Sequence, residues 1–341
     1  MATHNASEPV AGAGDPVIVS LDDLRAGVCD NQLPDAFGAE SLGIIIVNNL
    51  PSRYVALRAK LLALSTELAA LPADALAALE APECNYLVGW SCGKEKLADG
   101  APDTLKGSFY ANCAFYVDPA LECAPLLPGH DPDLVRGYTT ANLWPPLAEF
   151  RDTFRELCTL IIDVSADVAR ACDRYLAKTL PDFPPGYLEH VVTTSTTTKA
   201  RLLHYFPVPA GPAPPAWCGE HLDHGTLTGL TAAMYLDAAG GPELPASPDP
   251  AAGLYIRDRR GHVVRVAIPR DALAFQTGQA LQQATQGRFR AVPHFVRGSA
   301  VPDVARNTLA VFCQPSLHEP VGAVDFATFA AGIVAANVVE G

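Results

Sequence analysis

The chain has 341 residues, 49% of them hydrophobic, and 37 acidic against 24 basic side chains leave a formal net charge of −13. Such a composition belongs to a folded globular protein rather than a disordered one, and the length fits either one sizeable core with an extended helical cover or two intimate subdomains. The acidity repels phosphate backbones and anionic membrane surfaces at long range, so neither nucleic acid nor a membrane is an expected partner.

Residues 1–15, rich in Ala, Gly, His and Asn, read as a disordered leader and lack the basic and apolar regions of a secretory signal. Residues 16–19 form a short β-like run, residues 21–26 a helical turn or two, and the β-branched stretch Leu42 to Val47 a buried strand. Leu57, Leu61, Leu64 and Leu68 recur at three-to-four spacing and predict an amphipathic helix over Tyr54 to Ala70, with a short helix restarting at residues 72–74. Residues 84–145 carry Gly, Asn, Pro and aromatic clusters and read as irregular chain with short strands. The longest helix is expected after Pro145 and Pro146, with an apolar face of Leu147, Phe150, Phe154, Leu157, Ile161, Val164 and Val168, and an end before Pro181.

From about residue 190 the texture changes to short apolar or alternating runs: 201–206, 227–236, 253–257, 262–268, 273–276, 289–296 and 306–313. Proline- and glycine-rich loops over 207–219 and 237–252 interrupt them, and no helical periodicity returns until Asp325 caps a final helix. Many short strands imply a sandwich or barrel, of which a double-sheet jelly roll is one solution. The fold class is therefore α+β with a mainly β core, a helical N-terminal cover and a C-terminal helix. The expected divisions are 16–185 for the N-terminal mixed module, 186–318 for the jelly-roll core and 319–341 for the C-terminal helix. The nine cysteines are scattered and contain no C-x-x-C, which reads as reduced thiols of a cytoplasmic protein rather than a disulfide scaffold or zinc ribbon.

The chemistry lies in the last third. His221 and Asp223 stand two apart, so both can project from one side of a strand or its end. With the distal His294 they make a two-histidine, one-carboxylate set, the donor type of a mononuclear non-haem iron(II) centre that leaves an open coordination face. The absence of cysteine among them favours iron(II) over a structural zinc. Arg306 and Thr308 are i and i+2 in an apolar run, on one strand face, where a guanidinium fork and a hydroxyl can grip a carboxylate.

The segments His221-Leu-Asp-His-Gly-Thr-Leu-Thr228, Gly287-Arg-Phe-Arg-Ala-Val-Pro-His294 and Arg306-Asn-Thr308 resemble the isopenicillin-N-synthase-like 2-oxoglutarate/Fe(II)-dependent dioxygenases. So do residues 201–205, the pair of segments 253–256 and 261–269, and the run 275–287. Gln279, Gln286 and Phe295 depart from the family's usual residues without removing a ligand. The resemblance implies iron(II) on His221, Asp223 and His294, and 2-oxoglutarate held by Arg306 and Thr308 with Tyr205 beside them. It implies oxidative decarboxylation to succinate and carbon dioxide, coupled to hydroxylation or desaturation of a small molecule by dioxygen, with ascorbate as a candidate auxiliary reductant. A monomer is expected. Two alternatives stay open: an oxidase of the same fold that takes electrons from substrate or ascorbate, and a jelly-roll binding module without turnover.

Overall fold

The computed structural model describes residues 15–95, 102–208, 216–238 and 241–337. The expected leader lies outside these, except for Asp15. The chain begins with β1 (Val17–Ser20), α1 (Leu21–Ala26), α2 (Leu33–Phe37) and β2 (Ile44–Asn48). Next come α3 (Arg53–Ala69), α4 (Ala73–Ala77), β3 (Gly89–Cys92), β4 (Lys106–Asn112), α5 (Pro132–Thr139), α6 (Phe150–Thr179) and α7 (Tyr187–Thr194). The second half holds β5 (Lys199–Tyr205), β6 (Ala216–His221), β7 (Leu227–Thr231), β8 (Met234–Asp237), β9 (Gly253–Arg257), β10 (Val263–Val266) and β11 (Leu273–Thr277). It closes with α8 (Gln279–Ala284), β12 (His294–Arg297), β13 (Val304–Cys313) and α9 (Phe326–Asn337).

Two sheets face each other in a jelly roll. The major sheet has nine strands in the order β1-β2-β11-β7-β13-β5-β4-β3, with β8 also on β13, and the minor sheet runs β10-β9-β12-β6. The strands 16–19 and 42–47 expected from the sequence are thus the edge of the major sheet, paired parallel to each other. Alternation sorts their side chains: Ile45 and Val47 enter the core under the helices, while Ile44 and Ile46 enter the core between the sheets. Both faces of β2 are buried, and so its sequence is one unbroken apolar run. Helices α3 and α6 cover the outer face of the major sheet through Leu61, Leu68, Phe154, Leu157, Ile161 and Val168. Among the described residues no helix is long and apolar enough to cross a membrane, and all nine cysteines are free thiols.

Several sequence expectations need correction. The long helix starts at Phe150, because Glu149 takes a left-handed φ of 60° and stops any helical path from Pro146; Leu147 lies before it. The run 227–236 is two strands, since the Ala232 and Ala233 carbonyls accept from the buried Arg58 guanidinium at 2.9 Å each instead of continuing a ladder. The run 289–296 becomes strand only at His294, and 262–268 only over Val263–Val266. The expected loop 207–219 gives way to strand β6 at Ala216. Short helices α5, α7 and α8 interrupt stretches read as helix-free. Asp325 does cap the final helix, accepting from Thr328 N at 2.9 Å.

Lys199, 4% exposed, joins three segments of the N-terminal half to β5. Its ammonium donates to Asn112 Oδ1 (2.6 Å), Gly137 O (2.7 Å) and Leu87 O (2.9 Å) and lies over the Tyr138 ring. Burial pushes its pKa down to about 8, while three acceptors around three donors favour keeping the proton. Lys199→Met would orphan all three acceptors, and we expect a loss of roughly 1–3 kcal/mol of stability. Denaturant unfolding checks this; an unchanged midpoint would mean that the ammonium contributes nothing.

Candidate metal centre

The last residue of β6 and the first of β12 are cross-strand partners, and they are His221 and His294. Their rings stand 4.3 Å apart between centroids. The register shifts after His294, a bulge of the kind that re-aims side chains. Asp223 follows β6 by two residues, and its Oδ1 is 3.8 Å from Nε2 of both histidines. One ligand atom from each of the three falls within 4.8 Å of the others, the one such cluster of His, Cys, Asp or Glu among the described residues.

Each ring is oriented from behind. His221 Nδ1 donates to Gly219 O at 2.9 Å and His294 Nδ1 to Val292 O at 3.3 Å, which turns Nε2 of each toward Asp223. The carboxylate is held through its backbone. Asp223 O accepts from Gln279 N (2.8 Å), and the next carbonyls, of His224 and Gly225, accept from Ala280 N, so the ligand loop sits on the first turn of α8. The approach is close enough that a Cβ on Gly278 would lie 2.1 Å from Gly225 O. Gln279, one of the departures noted in the sequence, supplies that turn's first N–H; Phe295, another, stacks on Tyr255.

Burial alone would raise the Asp223 carboxyl, yet the His294 and His221 imidazoles hold it below the usual carboxylate range. Burial pushes His294 below the ordinary histidine value. Burial also opposes charge on His221, but the Cys218 sulfur as thiolate and the Asp223 carboxylate outweigh it and raise this imidazole to about 9. Asp223 Oδ2 is buried with no hydrogen-bond partner. Two imidazole nitrogens and a carboxylate with a spare buried oxygen fit a divalent cation of the iron(II) type.

Arg306, Thr308, Tyr205, Asp223 and both histidines line one cavity of about 350 Å³ between the sheets. Alternation along β13 puts Arg306, Thr308 and Ala310 on the cavity face and Asn307, Leu309 and Val311 on the other. Arg306 is 6% exposed, and its Nε and Nη1 have no acceptor. Tyr205, its partner across β5, lies under the guanidinium at 5.1 Å and stacks on Trp217 at 5.2 Å. Thr308 Oγ1 reaches Thr231 O at 3.4 Å. A buried guanidinium with unpaired N–H groups and a candidate cation site in one cavity have the charge and donors to receive a small dianion.

Other residues find plain roles. His224 turns away from the trio, stacks on Phe326 and contacts Gln314 at 3.2 Å. His204 bonds Asn307 Oδ1 at 2.7 Å. Tyr110 packs beneath Arg201 at 4.9 Å rather than lining the cavity. Sequence reasoning missed Arg201, Gln276, Arg265 and Arg270 as cavity residues. Arg201 was within reach, being on the same strand face as Leu203 and Tyr205.

No protein-family model matches the chain, and no curated protein is similar to it in sequence. Solved structures are similar to it in fold. A full-length Neurospora crassa protein in complex with alpha-KG superposes with a TM-score of 0.69 at 18% identity, over 96% of this chain and 98% of that one. A 2OG-Fe(II) oxygenase family protein from Caulobacter crescentus gives 0.66 at 19% identity, over 91% and 89%. JOX2 in complex with 2OG, Fe and JA gives 0.60 at 16% identity, over 94% and 83%. The chain shares their fold along nearly its whole length.

We expect one divalent cation per chain, lost in Asp223→Ala. Because His221 stays protonated up to about 9 without metal, a cation must displace that proton below this pH, so binding tightens as pH rises toward 9. Metal titration by calorimetry at pH 6.5 and pH 8 checks both points; equal affinity at the two would contradict the assignment of His221 as a ligand.

Proposed function

We propose that this protein is an iron(II)- and 2-oxoglutarate-dependent oxygenase that hydroxylates or desaturates a small organic molecule. The carrying observation is the pairing of one open-faced His-Asp-His trio with one buried, unpaired Arg306 in a single cavity. The fold shared with proteins solved with alpha-KG, or with 2OG and Fe, supports the reading.

In this reading His221, Asp223 and His294 would hold iron(II) through two imidazole nitrogens and a carboxylate oxygen. When bound, the metal and 2-oxoglutarate supply the oxidising power, with dioxygen as oxidant and succinate and carbon dioxide as products. Arg306 offers its planar fork to the distal carboxylate, and the Thr308 hydroxyl adds a donor. Tyr205, locked between Arg306 and Trp217, fixes the guanidinium's plane. Leu203, Leu254 and Val296 give the cavity apolar walls that keep water from the reacting atoms. The Gly219 and Val292 carbonyls keep both imidazoles in the tautomer that ligates through Nε2. The Neurospora crassa protein has been solved with thymine and with 5-formyluracil, and JOX2 with JA. We infer a compact organic substrate of that general size here.

The test is anaerobic addition of 2-oxoglutarate to the iron(II)-loaded protein, followed by absorption, and then by oxygen uptake with succinate quantified. Oxygen uptake without succinate would move the protein to the oxidase alternative. We further expect Arg306→Lys to weaken 2-oxoglutarate binding by roughly ten- to a hundredfold at unchanged iron affinity, because lysine keeps the charge but loses the two-donor fork. Identical 2-oxoglutarate titrations of wild type and variant would show that another cation holds the carboxylate.

A further inference from the structure

The cavity does not stop at Arg306. Its lining continues past the Arg306–Tyr235 cross-strand pair to Leu244, Pro245, Arg265 and Arg270. The Arg270 side chain is 45% exposed, so the cavity reaches solvent here as well as at His221, which is 44% exposed. The two places lie toward opposite ends of β13. Leu244 N donates to Tyr235 O (2.8 Å) beside Arg306, near the strand's start, whereas Thr226 N of the ligand loop donates to Cys313 O (2.8 Å) at its end.

The charge at this second end is one-sided. Among the described lining residues the sole acid is Asp223, at the metal end, while the far end presents Arg265, Arg270 and Arg306. Glu243 is near, but Arg58 (2.9 Å) and Arg270 (3.2 Å) share its carboxylate. Arg265 forms no ion pair among the described residues; its Nε donates to Ala252 O at 3.1 Å. All this sits on a chain of net charge −13, whose outer field repels a dianion. A low-dielectric opening lined by arginines reverses that repulsion locally and raises the anion's encounter rate.

We infer that the Arg265–Arg270 end is a passage for small dicarboxylates, by which 2-oxoglutarate enters and succinate leaves, distinct from the metal-side opening that receives the primary substrate. This rests on the oxygenase reading above. Arg306 is then the inner station of a cationic path whose outer stations are Arg265 and Arg270. Cosubstrate and product can exchange while the space over the metal is filled.

The experiment is stopped-flow absorption of 2-oxoglutarate binding to the anaerobic iron(II) holoprotein, giving association and dissociation rates. The double variant Arg265→Glu/Arg270→Glu should associate about tenfold or more slowly at low ionic strength, and lose the wild type's slowing by salt. Ala267→Trp, which fills an exposed stretch of the same lining without touching charge, should slow association and dissociation together and leave the equilibrium affinity unchanged. A site that merely bound the anion would change affinity instead. Iron stoichiometry and circular dichroism verify that each variant is folded. If both folded variants bind at wild-type rates, the ligand uses the metal-side opening and the inference is wrong. If wild-type holoprotein gives no signal with 2-oxoglutarate, the oxygenase reading itself fails, and this inference with it.

Discussion

A guanidinium buried between two sheets with two of its nitrogens unpaired is the constraint around which this molecule is arranged. Isolated charge in such a place costs several kcal/mol even after relaxation. The fold therefore holds Arg306 where a dianion can complete it, and holds it hard. Tyr205 lies under the guanidinium and is itself stacked on Trp217. On the opposite face of β13, Asn307 donates to Leu62 O and Thr66 Oγ1 of α3 at 2.7 Å each, and its Oδ1 meets His204 Nδ1 at 2.7 Å. Leu309 and Val311 continue that face into the core beneath α6. The helical cover thus fixes the strand whose other face presents Arg306 and Thr308 to the cavity.

Helix α6 can approach this closely because of one residue on β7. A Cβ on Gly229 would come within 2.5 Å of Ile161 Cγ2. The outer core, with its N-terminal helices, and the inner cavity are two sides of the same major sheet, and neither can shift without the other. The metal trio sits at a softer place. Its two histidines occupy strand ends, and its aspartate rides on a loop tied to α8 by backbone hydrogen bonds. The two rings are oriented from behind, and His221 is 44% exposed, so the trio is reachable from solvent.

Electrostatics divides the molecule in the same way. The chain as a whole is acidic, while four arginines, one aspartate and two histidines are the charged or titratable lining of the cavity among the described residues, cysteine and tyrosine aside. Two of those arginines have nearby carboxylates, Arg201 with Glu95 and Arg270 with Glu243. Among the described residues Arg306 and Arg265 have no ion-pair partner, and those two are the ones that gain most from an anionic guest.

The amino-acid sequence by itself singled out the three side chains that cluster, His221, Asp223 and His294, and much of the β core. His221, Asp223 and His294 are recognisable because strand periodicity and ligand type are local properties. Residues 306–313 are readable as a strand because alternation is written into them, and Asp325 as a cap because its partner is three residues away. Elements set by distant groups were not legible. Helix α7 has its first N–H groups satisfied by Asp173 of α6 at 2.9–3.0 Å, and α8 begins on carbonyls of the metal loop; both are shorter than a periodicity window. The break between β7 and β8 is made by Arg58, which lies on another helix. Only the tertiary structure decided which arginines share the cavity. Arg201, Arg265, Arg270 and Arg306 meet through strand register and loop path, and a pairing slipped by one residue would have turned each strand's side chains to the other face.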